Sequence, residues 1–445
     1  MHDDDYRAVC RMGASWGLIA PAPMMRPRFP ALASRDFRIF WITQLISLIG
    51  TWMQNTVQAY LAYRITGQPI YLGLIGVASS VPSLLFTLPG GVWVEGLDKR
   101  KTVIAFQALM MAQALALACL TLTGVVTIWW ITGLSFVLGA ANSIEITARQ
   151  AMMVEVVGKA GLPNAIALNS TAFNVARVVG PALSAPLLLI FAERGEGWAF
   201  LLNGVSYLVV ILGLLAIHPK AADRAAAGEH PAIASPNDAL ARFREGQRYI
   251  RQTTLIGLII IMAAVPGLLA FPVIQQIPAF ARDVLAQPGD TDAAVAARNS
   301  AMVTAQGVGA LLAATMLALL SAFRRKGCLM TAGQFAFSIA LLGIGLSRNI
   351  ALTLPILTLF GWGTVTALAT SNTIIQLVTP NALRGRVIST YLWALQGVAP
   401  FGSLLIGWIA QTWDAPTAAL FSGLACLATH IVIHLKTPTV RRFEG

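Results

Sequence analysis

Apolar runs long enough to cross a lipid bilayer follow one another along most of this chain, each ended by charged residues or a Pro/Gly break. Read this way, the pattern predicts twelve helices, near residues 37–62, 70–94, 102–123, 126–148, 164–191, 197–217, 254–281, 299–322, 328–347, 350–376, 387–411 and 415–435. About 20 apolar residues span the hydrocarbon of a bilayer, which is more than most core helices contain. The expected fold class is therefore an all-α membrane protein.

Composition agrees. Charged residues make up 11% of the 445 residues and hydrophobic ones 56%, with a mean hydropathy of +0.70. A soluble domain carries about a quarter charged residues to face water. The net charge of +12 does not point to nucleic acid, because the Lys and Arg residues sit in short clusters between apolar spans. Four cysteines, Cys10, Cys119, Cys328 and Cys426, lack metal or redox spacing and read as inert packing residues. No cleavable signal peptide is evident. Residues 1–23 read either as a disordered extension or as lying upstream of the natural start, since Met24 or Met25 opens a more ordinary basic N-terminus.

The basic clusters also encode sidedness. Arg26, Arg28, Arg35 and Arg38 precede the first span; Lys99, Arg100 and Lys101, Arg149 and Lys159, Arg324 to Lys326, and Arg384 with Arg386 occupy alternate loops. The opposite loops hold only Arg64, Arg194, Arg282, Arg298 and Arg348. This positive-inside bias places both termini in the cytoplasm of a cell inner membrane. The expected division is a cytoplasmic segment 1–35, a six-helix half 36–218, a cytoplasmic linker 219–252, a second half 253–436 and a tail 437–445. Within the linker, Asn237 to Arg251 has the character of an amphipathic surface helix.

The two halves echo each other. Arg177-Val178-Val179-Gly180-Pro181 in the fifth span resembles Gln396-Gly397-Val398-Ala399-Pro400 in the eleventh, and Ser170 and Ser389 keep the same offset. Parallel repeats of this kind suit carriers that hold their solute between two halves. There is no phosphate loop; Gly158-Lys159-Ala160-Gly161 lacks the spacing, so drive by a gradient is expected instead of ATP.

The run Leu88-Pro89-Gly90-Gly91-Val92-Trp93-Val94-Glu95-Gly96-Leu97-Asp98-Lys99-Arg100-Lys101 resembles the signature of the major facilitator superfamily: a glycine, three residues, an acid, then a basic cluster. Arg35-Asp36-Phe37-Arg38 with Trp41, Gly50-Thr51-Trp52-Met53-Gln54, Leu162-Pro163-Asn164-Ala165 and Arg384-Gly385-Arg386-Val387 are similar to the branch of enterobactin exporters and macrolide efflux proteins. Two positions depart from that pattern. Gly96 stands where the signature usually has a base, which softens the gate, and Thr147 where the branch commonly has proline, which straightens the fourth helix.

The resemblance implies the major facilitator fold, twelve transmembrane helices in two pseudo-symmetric six-helix halves. It also implies a cytoplasmic latch at the signature, with Gly91, Glu95, Asp98 and Arg100 as gating residues. Physically, Gly91 allows close helix approach, and Glu95 and Asp98 can meet bases or a helix N-terminus of the other half. Lys99 to Lys101 suit anionic headgroups.

Polar side chains in apolar spans are costly and usually face the bundle interior or a wet cavity. Gln44, Ser47, Thr51, Asn55 and Gln58 fall on one face of the first span, where they either line the cavity or tie helices together. Ser170, Asn174, Arg177 and Ser184 repeat this in the fifth. The expected substrate contacts are Gln44, Thr51, Asn55, Gln58, Asn174, Arg177, Gln275, Asn372 and Gln396. Glu145 is the expected proton-coupling acid; the alternative is a structural ion pair with Arg149 or Arg177. Gln276 and Gln376 are further polar candidates. His430 and His434 have chelating spacing but read as packing residues, and Trp129 and Trp130 as an interfacial belt.

The expectation is a secondary active transporter, a proton-coupled exporter of an amphipathic drug or siderophore. A facilitator or importer of a metabolite or lipid-like solute is the alternative, and a non-transporting receptor or assembly factor is disfavoured by the polar stripes and the latch. An enzyme is not expected, nor a cofactor or metal. The expected partners are the solute, the proton gradient and membrane lipids, with the protein acting as a monomer.

Overall fold

In the computed structural model the described residues are 30–95, 97–217, 236–320, 323–437, 441 and 443–444; the side chains at 87–95, 159–160, 193, 236–243 and 382 are not among them. The helices are α1 (Arg35–Thr66), α2 (Pro69–Glu95), α3 (Lys99–Leu122), α4 (Ile128–Gly158), α5 (Gly161–Phe191), α6 (Gly195–Ala216), α7 (Pro236–Gln252), α8 (Thr254–Val284), α9 (Asp292–Leu319), α10 (Lys326–Leu346), α11 (Ile350–Val378), α12 (Leu383–Thr412) and α13 (Ala415–Lys436). Eleven of these are long and apolar enough to cross a membrane. The remaining helix of spanning length is α1, whose 32 residues carry the polar stripe that lowers its apolarity. The multi-pass, all-helical membrane fold expected from the apolar pattern is thus observed.

Helix ends follow local chemistry. Ser34 caps α1 by accepting from the Phe37 N–H, and Gly67 closes it in the left-handed region at φ 62°. Asp98 caps α3, Thr291 caps α9, Asn349 caps α11 and Asp414 caps α13. Two boundaries and one helix interior differ from the apolar pattern. Helix α4 continues about ten residues beyond the span predicted to end at 148, because nothing stops it before Gly158 at φ 68°. The Thr147 hydroxyl bonds the Ser143 carbonyl and the helix runs through it. Helix α9 begins earlier than predicted, at the Thr291 cap followed by Asp292. Helix α8 contains π turns at Pro266–Ala270 and Phe280–Val284; Pro266, Pro272 and Pro278 each remove a backbone donor and crowd the preceding turn.

Inside the first half α1 packs on α5 and α6, α2 on α4, and α3 on α4 and α6; in the second, α11 packs on α9 and α10, and α10 on α13. Helix α7 lies on the second half. Its Gln247 amide donates to the Thr390 hydroxyl at 3.0 Å, its Tyr249 hydroxyl to the Val378 carbonyl, and Glu245 pairs with Arg386. We call the face that carries α7 the linker face.

Two seams join the halves, α2 against α12 and α5 against α9. Both depend on glycine. A Cβ at Gly73 would collide with the Ser403 carbonyl, and one at Gly307 would lie 2.7 Å from the Arg177 carbonyl. Backbones this close are characteristic of small-residue contacts in membranes, where packing replaces the hydrophobic drive. Toward the face opposite the linker the seams are tied by hydrogen bonds: Ser184 to Ser300 hydroxyls at 2.7 Å, Tyr60 hydroxyl to the Asp292 carbonyl at 2.7 Å, Gln276 amide to the Pro69 carbonyl at 3.4 Å, and Tyr63 hydroxyl to Asp283. The halves are closed together on that side.

Of the cysteines, Cys426 is buried, whereas Cys119 and Cys328 are exposed on outer helix faces and do not act as packing residues; Cys10 lies outside the described residues. Trp129 and Trp130 are exposed at the start of α4, as an interfacial belt requires. His430 and His434 are buried and bond the Ser338 hydroxyl and the Gln334 amide oxygen.

Replacing Gly73 by leucine is expected to hold the α2–α12 seam apart. Spin labels at the exposed positions Gln68 and Thr412 should report a longer distance in Gly73→Leu than in the parent protein. An unchanged distance distribution would show that the seam does not depend on this contact.

Candidate functional site

The five polar residues of the α1 stripe do not share one environment. At 100° per residue Gln54 and Gln58 turn toward α3 and α4, and Trp52 toward α5. The Gln54 amide donates to Gln113 at 3.1 Å and to Gln58 at 3.4 Å, while its oxygen accepts from Asn203 at 2.7 Å. The Gln58 amide donates to the Ser135 hydroxyl at 2.6 Å. The Thr51 hydroxyl bonds the Ser47 carbonyl and the Tyr207 hydroxyl. Gln44 is buried and its Oε1 has no partner among the described residues.

Of the stripe, Thr51 and Gln58 tie α1 to α6 and α4 inside the first half, and the neighbouring Gln54 ties it to α3 and α6. Asn55 differs. It is exposed, on the face between the direction of Gln58 and that of Trp52, half a turn from the exposed Ile46.

Gln54, Gln113 and Asn203 form the centre of this network, and sequence reading did not single them out. Each is an amide in an apolar span, which is a signal; which amide meets which is set only by packing.

Arg177 lies in α5 with its guanidinium carbon 5.0 Å from the Trp52 ring centre and 5.3 Å from that of Phe173. Its Nε is buried without a partner among the described residues, and its backbone abuts Gly307 of α9. A cation placed over two aromatic faces is held without an acid. Arg177 is thus brought to the junction of α1, α5 and α9 and not to Glu145. Asn174, one turn earlier, donates to the Ser170 carbonyl at 2.9 Å.

Glu145 is buried in α4. Its Oε1 accepts from the Gln107 amide at 2.9 Å and from Arg149 Nε at 3.1 Å; Arg149 also reaches the Asn169 oxygen at 3.3 Å. Of the two pairings open to it, the structure contains Glu145–Arg149.

In the second half the Gln275 oxygen is buried without a partner and presses on Gly76 of α2. Asn372 accepts from Gln376 at 2.6 Å, and Gln396 is exposed beside the break in α12 at Gly397. Near these, on the linker face, an open cavity of about 240 Å³ is lined by Thr373, Gln376, Leu377 and Arg384.

At the latch, Asp98 caps α3 through the Lys101 N–H at 3.0 Å, and Arg100 donates to the Leu214 and Leu215 carbonyls at 2.7 and 2.8 Å. Both act within their own half here, Arg100 on the C-terminal end of α6 where a cation suits the helix dipole. Gly91 lies within α2, and the side chain of Glu95 lies outside the described residues. Among those described, no group of three or more His, Cys, Asp or Glu residues could hold a metal ion.

Comparison with known proteins follows the same line. A family described as transmembrane secretion effector matches residues 27–444. The chain is 23% identical over 410 residues to the enterobactin exporter EntS of Shigella flexneri, covering 92% of this chain and 93% of that protein. It is 21% identical over 398 residues to the staphyloferrin A transporter of Staphylococcus aureus, covering 89% and 95%. Among solved structures it resembles a D-xylose-proton symporter with a TM-score of 0.67 at 12% identity, covering 91% and 98%, a likeness of fold.

Gln54→Leu strips a donor from the Gln113 oxygen and an acceptor from the Asn203 amide and should cost about 1–3 kcal/mol, since both groups are buried. Thermal melting in detergent should show a clear drop for Gln54→Leu and none for Asn55→Leu. Equal melting of the two variants would contradict the division of the stripe.

Proposed function

The chain belongs to the transmembrane secretion effector family of the major facilitator superfamily, and from that premise we propose a proton-driven exporter of an anionic, aromatic or amphipathic small molecule of the siderophore type. The observation that carries this reading is Arg177. A guanidinium flanked by two rings, with an unpartnered Nε and at the junction of the halves, suits a ligand that brings both negative charge and flat apolar surface. The enterobactin and staphyloferrin A names of two relatives support the same substrate class.

In this reading the linker face is cytoplasmic, as the basic clusters argue, and the protein works as a monomer in the inner membrane. The seams are closed on the outside, so solute enters from the cytoplasm between the halves. Asn55, Asn174 and Arg177 meet it from the first half, and Gln275, Asn372 and Gln396 from the second; Gln44, Thr51 and Gln58 stiffen the wall behind them. Rocking of the halves then exposes the solute outside. Asp98 and Arg100, with Gly91 and Glu95, belong to the contact that closes the cytoplasmic side in that opposite state.

Proton drive requires a carboxylate that gains and loses a proton in the cycle. Glu145, near the cytoplasmic end of α4, is assigned that role. Its neutral form no longer holds Arg149 as a charge partner.

Proteoliposomes with an imposed pH gradient test the function. Catecholate siderophores should be moved against their gradient and cationic drugs should not, and Arg177→Gln should weaken the apparent affinity about tenfold, or about 1.4 kcal/mol. Transport of cationic drugs with no effect of Arg177→Gln would overturn the substrate class.

Glu145→Gln should retain binding and lose gradient-driven transport. If the residue only braces Arg149, the same change should instead lower thermal stability, and Glu145→Gln with Arg149→Gln should regain part of it. Full gradient-driven transport by Glu145→Gln removes the residue from the proton path.

A further inference from the structure

A second enclosed carboxylate lies at the opposite face, where the halves are joined. Glu196 opens α6 and is 1% exposed. Its Oε1 pairs with Arg64 at 3.2 Å, and its Oε2 is buried with no partner among the described residues. The pair lines a cavity of about 270 Å³.

Most of the cavity wall belongs to the first half: Tyr60 and Arg64 from α1, the apolar end of α5, and Glu196 itself. The remainder is the start of α9, from the second half, with Asp292, Ala293 and Ala296. The Tyr60 hydroxyl donates across the seam to the Asp292 carbonyl at 2.7 Å. The Asp292 carboxylate faces outward to Arg282 of α8 at 3.4 Å. Among the described residues that line the cavity or pair across the seam, the charged groups near Glu196 are Arg64 beside it, and Asp292 with Arg282 across the seam; Leu188 of α5 and Ala192 just beyond it carry no charge.

We propose that Glu196 is a proton-binding site on the outer seam, loaded when the halves part and enclosed when they close. The enclosure by α9 carries the argument. With the seam closed, one carboxylate oxygen has no donor among the described residues and the start of α9 walls the cavity beside it, so an acid proton lowers the cost of holding the charge there. With the seam open, α9 departs, water reaches both oxygens, and the ionised form paired to Arg64 is favoured. The closed form thus binds the proton more tightly than the open one. By linkage, external acid then favours closure to the same degree that closure favours the proton. A permanent Arg64–Glu196 brace, wholly inside one half, would respond to neither. The inference rests on the alternation between two states proposed above and not on the identity of the solute.

The test needs no substrate. Distances between spin labels at Gln68 and Thr412, measured in lipid nanodiscs from about pH 8 to pH 5, give the closed fraction of the outer seam. The ratio of closed to open seams should rise about tenfold per pH unit across the titration of this one group, the limit for a single proton. Glu196→Gln, which mimics the neutral acid, should be closed throughout and insensitive to pH. In Arg64→Gln, which removes the base that favours the ionised form, the midpoint should move to higher pH. This second variant decides the matter should Glu196→Gln fail to fold. A pH-independent parent protein, a parental response in Glu196→Gln, or an unmoved midpoint in Arg64→Gln overturns the proposal. A seam that opens and closes with pH while proteoliposomes move no solute would instead count against the exporter and leave the proton site standing.

Discussion

A polar side chain inside a lipid-spanning helix must be matched by the protein, because hydrocarbon offers no hydrogen bonds. The packing of the first half follows from this. Helix α1 is too polar to lie among lipids on all sides, and it is held where Gln113, Ser135, Asn203 and Tyr207 meet its stripe from three other helices. Measured values for such bonds are small, on average about 0.6 kcal/mol each, since the unfolded chain in the membrane also finds partners. Their effect is positional. They fix the rotation of α1, which turns Trp52 toward Arg177 and leaves Asn55 exposed.

Once each half is braced from within, the halves can meet through a different chemistry. The seams use glycine and serine, Gly73 with Ser403 and Gly407, Gly307 with Arg177, and Ser184 with Ser300. Surfaces built from small residues approach closely and part without stranding a large side chain in lipid. Helix α7 keeps to the second half through Glu245, Gln247 and Tyr249, so it travels with one rigid body instead of bridging both.

The spans were legible because length and apolarity are local properties; the apolar pattern alone does not carry the caps at Ser34, Asp98 and Thr291, each of which bonds a backbone N–H three residues away, and α9 therefore begins earlier than it predicts. The α1 stripe was legible as a face but not as a function. Helical spacing gives direction around one axis, while the partner depends on which helix stands there. Gln58 and Asn55 are three residues apart, yet one meets Ser135 and the other is exposed. Arg64 read from sequence as one of a few bases on the sparse side of the membrane; that it stands against the buried Glu196 depends on α1 and α6 packing side by side. The extension of α4 to Gly158 was missed because apolarity ends near residue 148 while the helix does not.

What surrounds a carboxylate decides what it can sense. Glu145 is enclosed by Gln107 of α3, Arg149 of α4 and, through that arginine, Asn169 of α5, all in one half. In the proposed exporter, rocking of the halves leaves that shell intact. Glu196 is enclosed partly by α9 of the other half, so the same rocking changes its surroundings directly. An inward proton gradient needs both kinds of group: an outer one whose affinity falls as the seam opens to acid, and an inner one that releases where water is cytoplasmic. Neither alone converts a gradient into export, because a site whose affinity never changes exchanges protons with no effect on the halves, and a site with no inner exit holds its proton.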